Sequence, residues 1–230
     1  ILSKIFQKAN EIDKTVISGS IGMFYSIFAS QMNQRDTMPT TVGQSVVDSL
    51  SNLIEANDAK INNGTMKDQL HQTLHQIVHL IMRDKPTGQT IVFTSNLISI
   101  LQNREFVDQI YSREIGFGGT HVNLTEGSIP YDVVSVDLQI IQWGSNPFSF
   151  IQNVTNATFV SVDLVDENGN KLPIRHDKPM ITITIDVNTT NFVNASCKYF
   201  NETSQEFEDI IVASMDQSKI TVSIYISKTF

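Results

Sequence analysis

Val134-Ser135-Val136-Asp137-Leu138-Gln139-Ile140 alternates apolar and polar residues without a slip, the period of a strand with one face buried and the other wet. Trp143 follows, and Gly144-Ser145-Asn146-Pro147-Phe148 opens a loop. The pattern returns at Phe159 to Leu164, where Val160, Val162 and Leu164 stand against Ser161 and Asp163. It returns again at Ile181 to Val187, with Ile183 and Ile185 against Thr182, Thr184 and Asp186. Between these two runs lies Asp166-Glu167-Asn168-Gly169-Asn170. An Asn-Gly pair takes the positive φ angles of a tight turn, so the chain is expected to reverse there. The block from Tyr131 to Val187 reads as a β-sandwich.

Towards the N-terminus the period changes to that of helices. Ile5, Ala9, Ile12 and Val16 recur at helical spacing, and Ile17, Ile21, Phe24 and Phe28 form a second stripe. Gly19 and Gly22 predict a break or kink within it. Asp36 to Thr41, with Pro39 inside, is a turn, and Thr40 or Thr41 is placed to cap a second helix bearing Val46, Leu50, Leu53 and Ile54. Asn62-Asn63-Gly64 is expected to close it. Thr65 and Asp68 resemble a capping box for a third helix, which turns Met66, Leu70, Leu74, Ile77 and Ile81 inward and stops before Pro86.

Beyond Thr87-Gly88 short β-type runs are expected at Thr90 to Phe93, Leu97 to Leu101 and His121 to Leu124. Asn103 to Ile115 is ambiguous between helical turn and loop. Further strands are expected at Val193 to Phe200, Ile210 to Ser214 and Lys219 to Ile226. Helices first and strands afterwards give an α+β chain: a helical subdomain over residues 1–85, then an antiparallel β-sandwich subdomain over 86–230.

Composition bounds the partners. A chain of 230 residues has room for a real core. A net charge of −8 supplies no basic patch for nucleic acid or an anionic membrane surface. No apolar run reaches membrane-spanning length, so membrane attachment is expected only through segments outside this chain. The start at Ile1 reads as mid-chain sequence, and a larger parent protein is expected. The lone Cys197 excludes an internal disulfide framework and a multi-cysteine zinc site. Asn-x-Ser/Thr occurs at Asn63, Asn123, Asn153, Asn156, Asn188, Asn194 and Asn201, where random placement gives roughly three to four such triplets. That excess points to an N-glycosylated, extracellular chain.

Each candidate for chemistry has a plainer alternative. His71, His75 and His79 lie at i, i+4 and i+8, a spacing that can bring ring nitrogens to one metal. No carboxylate stands at the HExxH position, and the three are read as a wet polar flank, with no metal or cofactor expected. Asp166 to Asn170 lacks the remaining ligand positions of a calcium loop and is read as a turn. Gly116-Phe117-Gly118-Gly119 neither follows a clear strand nor opens a helix, so phosphate binding is not expected. Glu206, Glu208 and Asp209 are read as a solvated acidic loop. No nucleophile elbow accompanies any Ser, His and Asp set.

The succession of helices, a strand-rich half, Trp143 to Phe148, the strands flanking Asn168-Gly169, Cys197 and a terminal strand resembles the GAIN domain of polycystin-1-like proteins and adhesion receptors. Asn146-Pro147-Phe148, Val160 to Leu164 and Leu172-Pro173-Ile174 resemble the polycystin-1 branch. In that family the last strands carry a self-cleavage site: a cysteine followed by aromatics, two further cysteines, and a His-Leu-Thr/Ser tripeptide whose hydroxyl attacks the preceding carbonyl. Cys197-Lys198-Tyr199-Phe200 matches the opening. Ser223 and Tyr225 stand where the later cysteines are expected, and Ile226-Ser227-Lys228-Thr229-Phe230 contains no histidine.

A hydroxyl needs a base within hydrogen-bond reach, and Lys228 in a solvated loop is protonated. His121 or His176 could approach from elsewhere in the chain. The resemblance therefore implies a GAIN fold that has lost self-cleavage, with Cys197 a buried or free thiol. It implies a non-enzymatic module at a cell or ciliary surface, glycosylated, structural, adhesive or force-transmitting, and partnered by other protein chains or domains of the same larger protein. Two alternatives remain: a self-cleaving domain using Ser227 or Thr229, and a β-sandwich adhesin or assembly protein outside the family.

Overall fold

The computed structural model describes residues 14–34, 36–55, 64–144, 159–172, 181–186, 198–201, 206–209, 212–215 and 219–224. For Lys14, Gly64, Thr65, Lys67 and everything from residue 199 onwards it describes the backbone alone. The chain is α+β: helices come first and antiparallel sheets follow. It folds as two compact units, Ile1–Arg104 with Asp137–Lys171, and Glu105–Val136 with Leu172–Phe230. The first unit thus joins the helices to strands that lie beyond residue 86, because those strands share the helices' core.

Three helices open the first unit: α1 (Lys14–Gln34), α2 (Thr40–Glu55) and α3 (Gly64–Met82). The α1 helix runs unbroken through Gly19 and Gly22, where the sequence predicts a break. Each glycine costs a helix about 1 kcal/mol, and each large apolar side chain fully buried returns about 1.5–3 kcal/mol. Ile17, Ile21, Phe24 and Phe28 are all buried, so tertiary burial wins. Val16 is exposed, and Ile5, Ala9 and Ile12 lie outside the described residues.

The α2 helix is headed by Pro39 rather than capped by Thr40 or Thr41: the Pro39 carbonyl accepts the N–H groups of Val42 and Gly43 at 3.0 and 3.2 Å. Its described residues run to Glu55, and Gly64 is the first described residue of α3; Asn62 and Asn63, expected to close α2, lie outside the described residues. The inward faces are those the spacing predicts. Val46, Leu50, Leu53 and Ile54 on α2, and Met66, Leu70, Leu74, Ile77 and Ile81 on α3, are buried.

These helices cover a four-stranded sheet built from β1 (Thr90–Thr94), β2 (Ile98–Phe106), β5 (Ser135–Trp143) and β6 (Phe159–Val165). The strands lie in the order β1-β2-β5-β6. Ile91, Phe93, Ile98, Ile100, Ile141 and Trp143 share one apolar cluster with the helices. Strand parity then puts Gln102 and Arg104 on the face of Ile98 and Ile100, and Asp137 and Gln139 on the face of Ile141 and Trp143.

Asp137 and Gln139 do not face water, where the alternation puts them: together with Gln102 and Arg104 they are at most 5% exposed. Arg104 donates to Asp137 from Nε and Nη2 at 2.6 and 2.8 Å, and from Nη1 to the carbonyls of Met82 and Lys85 at 2.9 and 3.0 Å. Gln102 donates to Asp137 at 2.9 Å, and Gln139 to Gln102 at 3.2 Å. Mutual hydrogen bonding lets a polar face be buried, and it carries β2 on to Phe106 through residues that sequence leaves ambiguous.

In the second unit a single helical turn, α4 (Val107–Ile110), precedes a five-stranded antiparallel sheet. Its strands are β3 (Ile115–Phe117), β4 (Thr120–Leu124), β7 (Ile181–Asp186), β10 (Val212–Met215) and β11 (Lys219–Ile224), in the order β10-β11-β7-β4-β3. Gly116 to Gly119, which in the sequence follow no clear strand, form a hairpin: Gly118 and Gly119 take φ of 52° and 80° between β3 and β4. Glu206, Glu208 and Asp209 are also not loop. They form β9 (Glu206–Asp209), paired residue for residue with β8 (Lys198–Asn201).

The chain does reverse at Asn168-Gly169, with Gly169 at φ 83°. Among the described residues the reversal closes one bridge, Val165 to Lys171, and β6 and β7 belong to different sheets.

Candidate functional site

The densest group of chemistry-bearing side chains lies in the first unit, where α3 meets β6. His71 and His75 project from successive turns of α3, on the flank that sequence reads as wet. Asp163 meets them from β6, on the same strand face as Ser161, which accepts a hydrogen bond from Trp143 Nε1 at 3.1 Å. That strand shields the flank: the side chains of His71, His75 and Asp163 are 25%, 17% and 14% exposed.

Asp163 Oδ2 lies 3.1 Å from His75 Nε2 and 3.8 Å from His71 Nε2, and the two imidazole nitrogens are 3.3 Å apart. Lys171 Nζ holds the other carboxylate oxygen, Oδ1, at 3.0 Å. The rings of His71 and His75 meet edge to face, and Trp143 lies 6.4 Å from His71, centroid to centroid.

The electrostatics favour neutral His71 beside ionised Asp163. Burial, then His75 and Lys171, lower the His71 pKa to about 3 against the pull of Asp163. Burial pushes the Asp163 carboxyl up, but hydrogen bonding and attraction from His75, then Lys171, outweigh it and hold the group well below the ordinary carboxylate range. Two imidazoles and one carboxylate oxygen converging in this way are a donor set for a divalent transition metal.

His79 does not join them. Eight residues along a helix is about 12 Å from His71 and well round the axis, so only the first two of the three spaced histidines converge. Its side chain is buried under the turn after β6, with Gly169 against its ring. Neither ring nitrogen has a hydrogen-bond partner among the described residues, nor has Gln76 Oε1. A cavity of about 50 Å³ adjoins them, bordered also by Met32, Gln102 and Val165. Burial, then the charges of Arg83 and Arg104, lower the His79 pKa to about 4 against Asp166.

The turn itself consumes its own acceptors. Asp166 Oδ1 accepts the N–H groups of Asn168 and Asn170 at 2.9 and 2.8 Å, and Oδ2 the Asn170 amide at 3.0 Å. This is an Asx turn. Burial raises the Asp166 pKa, and the bonds from Asn170 and Asn168 more than reverse it.

Of the glycosylation acceptors, Asn123 is exposed on β4, with Nδ2 donating to Glu114 at 3.2 Å. Asn201 ends β8. Asn63, Asn153, Asn156, Asn188 and Asn194 lie outside the described residues, as do Cys197, Ser227, Thr229 and His176. His121 is described: it lies in the second unit between Glu114 and Asp186, at 3.0 and 3.7 Å. No helix among the described residues is long and apolar enough to cross a membrane.

The partner that sequence reasoning misses is Asp163. Its place in an alternating run marks it only as a polar-face residue, and nothing local couples it to a helix so far back in the chain. The i, i+4 histidine pair is the legible half of the cluster.

No protein-family model matches the chain, and no curated protein does. Among solved structures, the chain is similar to the full extracellular region of zebrafish Gpr126/Adgrg6, with a TM-score of 0.69 over 97% of this chain at 12% sequence identity. It spans 33% of that region's length. A likeness at this identity establishes a shared fold.

Proposed function

We propose that this chain is an extracellular, adhesion-type module of the GAIN-like kind, structural or force-transmitting rather than catalytic, within a larger membrane-associated surface protein. The observation that carries the reading is the fold likeness to an extracellular region over nearly the whole chain, which matches a third of that region's length. The seven glycosylation triplets support the location, and Asn123 is exposed where a glycan needs it to be. The missing histidine beside Ser227 and Thr229 supports an uncleaved chain. A polycystin-1-like parent and a ciliary setting are the finer form of this proposal, resting on Asn146-Pro147-Phe148 and Leu172-Pro173-Ile174. Its partners are other domains or chains of that surface protein.

The test is the intact mass of the secreted chain, extended past Phe230 with a tag, before and after enzymatic removal of N-glycans. A single species that loses several glycans is the expected result. Two species dividing between Ile226 and Thr229 would make Ser227 or Thr229 a nucleophile and overturn the non-catalytic reading. An unglycosylated single species from a cell that glycosylates would overturn the extracellular one.

A further inference from the structure

We propose that His71, His75 and Asp163 bind a divalent transition metal of the zinc class, with solvent as the remaining ligand. A tetrahedral ion with bonds of about 2.0–2.1 Å needs its ligand atoms roughly 3.3–3.4 Å apart. His71 Nε2, His75 Nε2 and Asp163 Oδ2 stand 3.1, 3.3 and 3.8 Å from one another. Each residue offers one ligand atom, and the three separations lie close to that spacing, so small side-chain adjustments separate this arrangement from coordination.

The supporting structure also suits a metal. The histidines occupy successive turns of one helix, which fixes their separation. Lys171 on Oδ1 leaves Oδ2 as the single donating oxygen, the kind of outer contact that orients a ligating carboxylate. Trp143, tied to Ser161, lies beside the His71 ring. Nitrogen donors favour zinc, cobalt, nickel or copper over calcium and magnesium, which take oxygen. The site joins α3 to β6, so an occupied site would fasten the helical layer to the edge strand of its sheet.

The experiment uses the tag-free full chain, with zinc titrated against a chromophoric chelator and cobalt followed by its visible absorption. One equivalent of zinc is expected, with a cobalt band of four-coordinate character. Asp163→Asn and His75→Gln should each weaken zinc by at least about 100-fold, since loss of an outer-shell contact alone costs 10–100-fold. His79→Gln and His121→Gln should leave zinc affinity and the cobalt band unchanged. Zinc should also raise the melting temperature of the wild-type chain but not that of the folded His71→Gln/His75→Gln variant. No zinc uptake by the wild-type chain at micromolar concentration would overturn the proposal. So would equal uptake by the wild-type chain and the double variant.

Discussion

Arg104 grips Asp137 through two parallel hydrogen bonds at 2.6 and 2.8 Å, with the Arg104 side chain 6% and the Asp137 side chain 1% exposed. The contact pulls the Arg104 pKa upward, while burial drives Asp137 up even against its partner. Two opposed effects meet here. The bidentate geometry is strong, but removing two charges from water costs several kcal/mol per ion before any attraction returns it. Arg104 has a second task, since its Nη1 closes the carbonyls of Met82 and Lys85 at the end of α3. It is therefore both an ion-pair partner and a helix cap.

Truncating one partner strands the other charge. Asp137→Ala is expected to cost about 3–5 kcal/mol, and Arg104→Met as much or more because the α3 carbonyls lose their donor as well. The double variant Arg104→Met/Asp137→Leu should cost far less than the sum. Urea unfolding of the four proteins in a double-mutant cycle measures this. Simple additivity would show that the pair is not a coupled unit.

This network marks where sequence reading stops. The stripes on α2 and α3 are legible because each apolar side chain repeats locally at helical spacing, and Leu50, Leu74 and Ile77 are fully buried as that spacing requires. Strand positions are legible from alternation for the same reason. Alternation equates polar with wet, however, and Asp137 is buried because Arg104 and Gln102 reach it from another strand. Long-range partnership leaves no local mark, which is also why His71 and His75 stand out in the sequence and Asp163 does not. The polar tail of β2, Gln102 to Glu105, escapes for the same cause.

Gly169 separates backbone strain from side-chain collision. It shares a φ of 83° with Gly88, but a Cβ at Gly88 meets nothing within 4 Å, whereas one at Gly169 falls 2.8 Å from His79 Nδ1. Gly88→Ala should therefore cost only the left-handed penalty of about 1–2 kcal/mol. Gly169→Ala should cost about 1–3 kcal/mol more, as overpacking does, and part of that excess should vanish in a His79→Ala background. Equal melting temperatures for the two alanine variants would dismiss the contact.

Gly43 sits where α2 approaches α3 and β1. A Cβ there would collide with Ile81 Cδ1 and stand 3.1 Å from Phe93 Cζ and 3.4 Å from Ile77 Cγ2. Alanine in a helix gains up to about 1 kcal/mol over glycine. The aromatic ring is fully buried and cannot yield as the Ile81 tip can, so overpacking at about 1–3 kcal/mol should prevail. Gly43→Ala should lower stability, and Gly19→Ala, at a position with nothing within 4 Å, should raise it. Denaturant midpoints decide both signs.

His79 should make the fold sensitive to mild acid. Its folded pKa lies near 4, below the 6.5 of an unperturbed imidazole, because burial and the facing Arg83 and Arg104 outweigh Asp166. Below pH 6.5 the unfolded chain takes up a proton that the folded chain refuses until about pH 4, so stability falls with pH through that window and is restored above it. The slope is at most about 1.4 kcal/mol per pH unit and about half that at pH 6.5, which gives about 1.6 kcal/mol between pH 6.5 and 5. His79→Gln keeps a polar side chain of similar reach without an ionisable ring. Urea unfolding at several pH values should show the wild-type chain losing about 1.6 kcal/mol more than this variant across that interval. Parallel pH profiles would mean that His79 takes up its proton as readily in the folded chain as in the unfolded one, and would overturn this prediction.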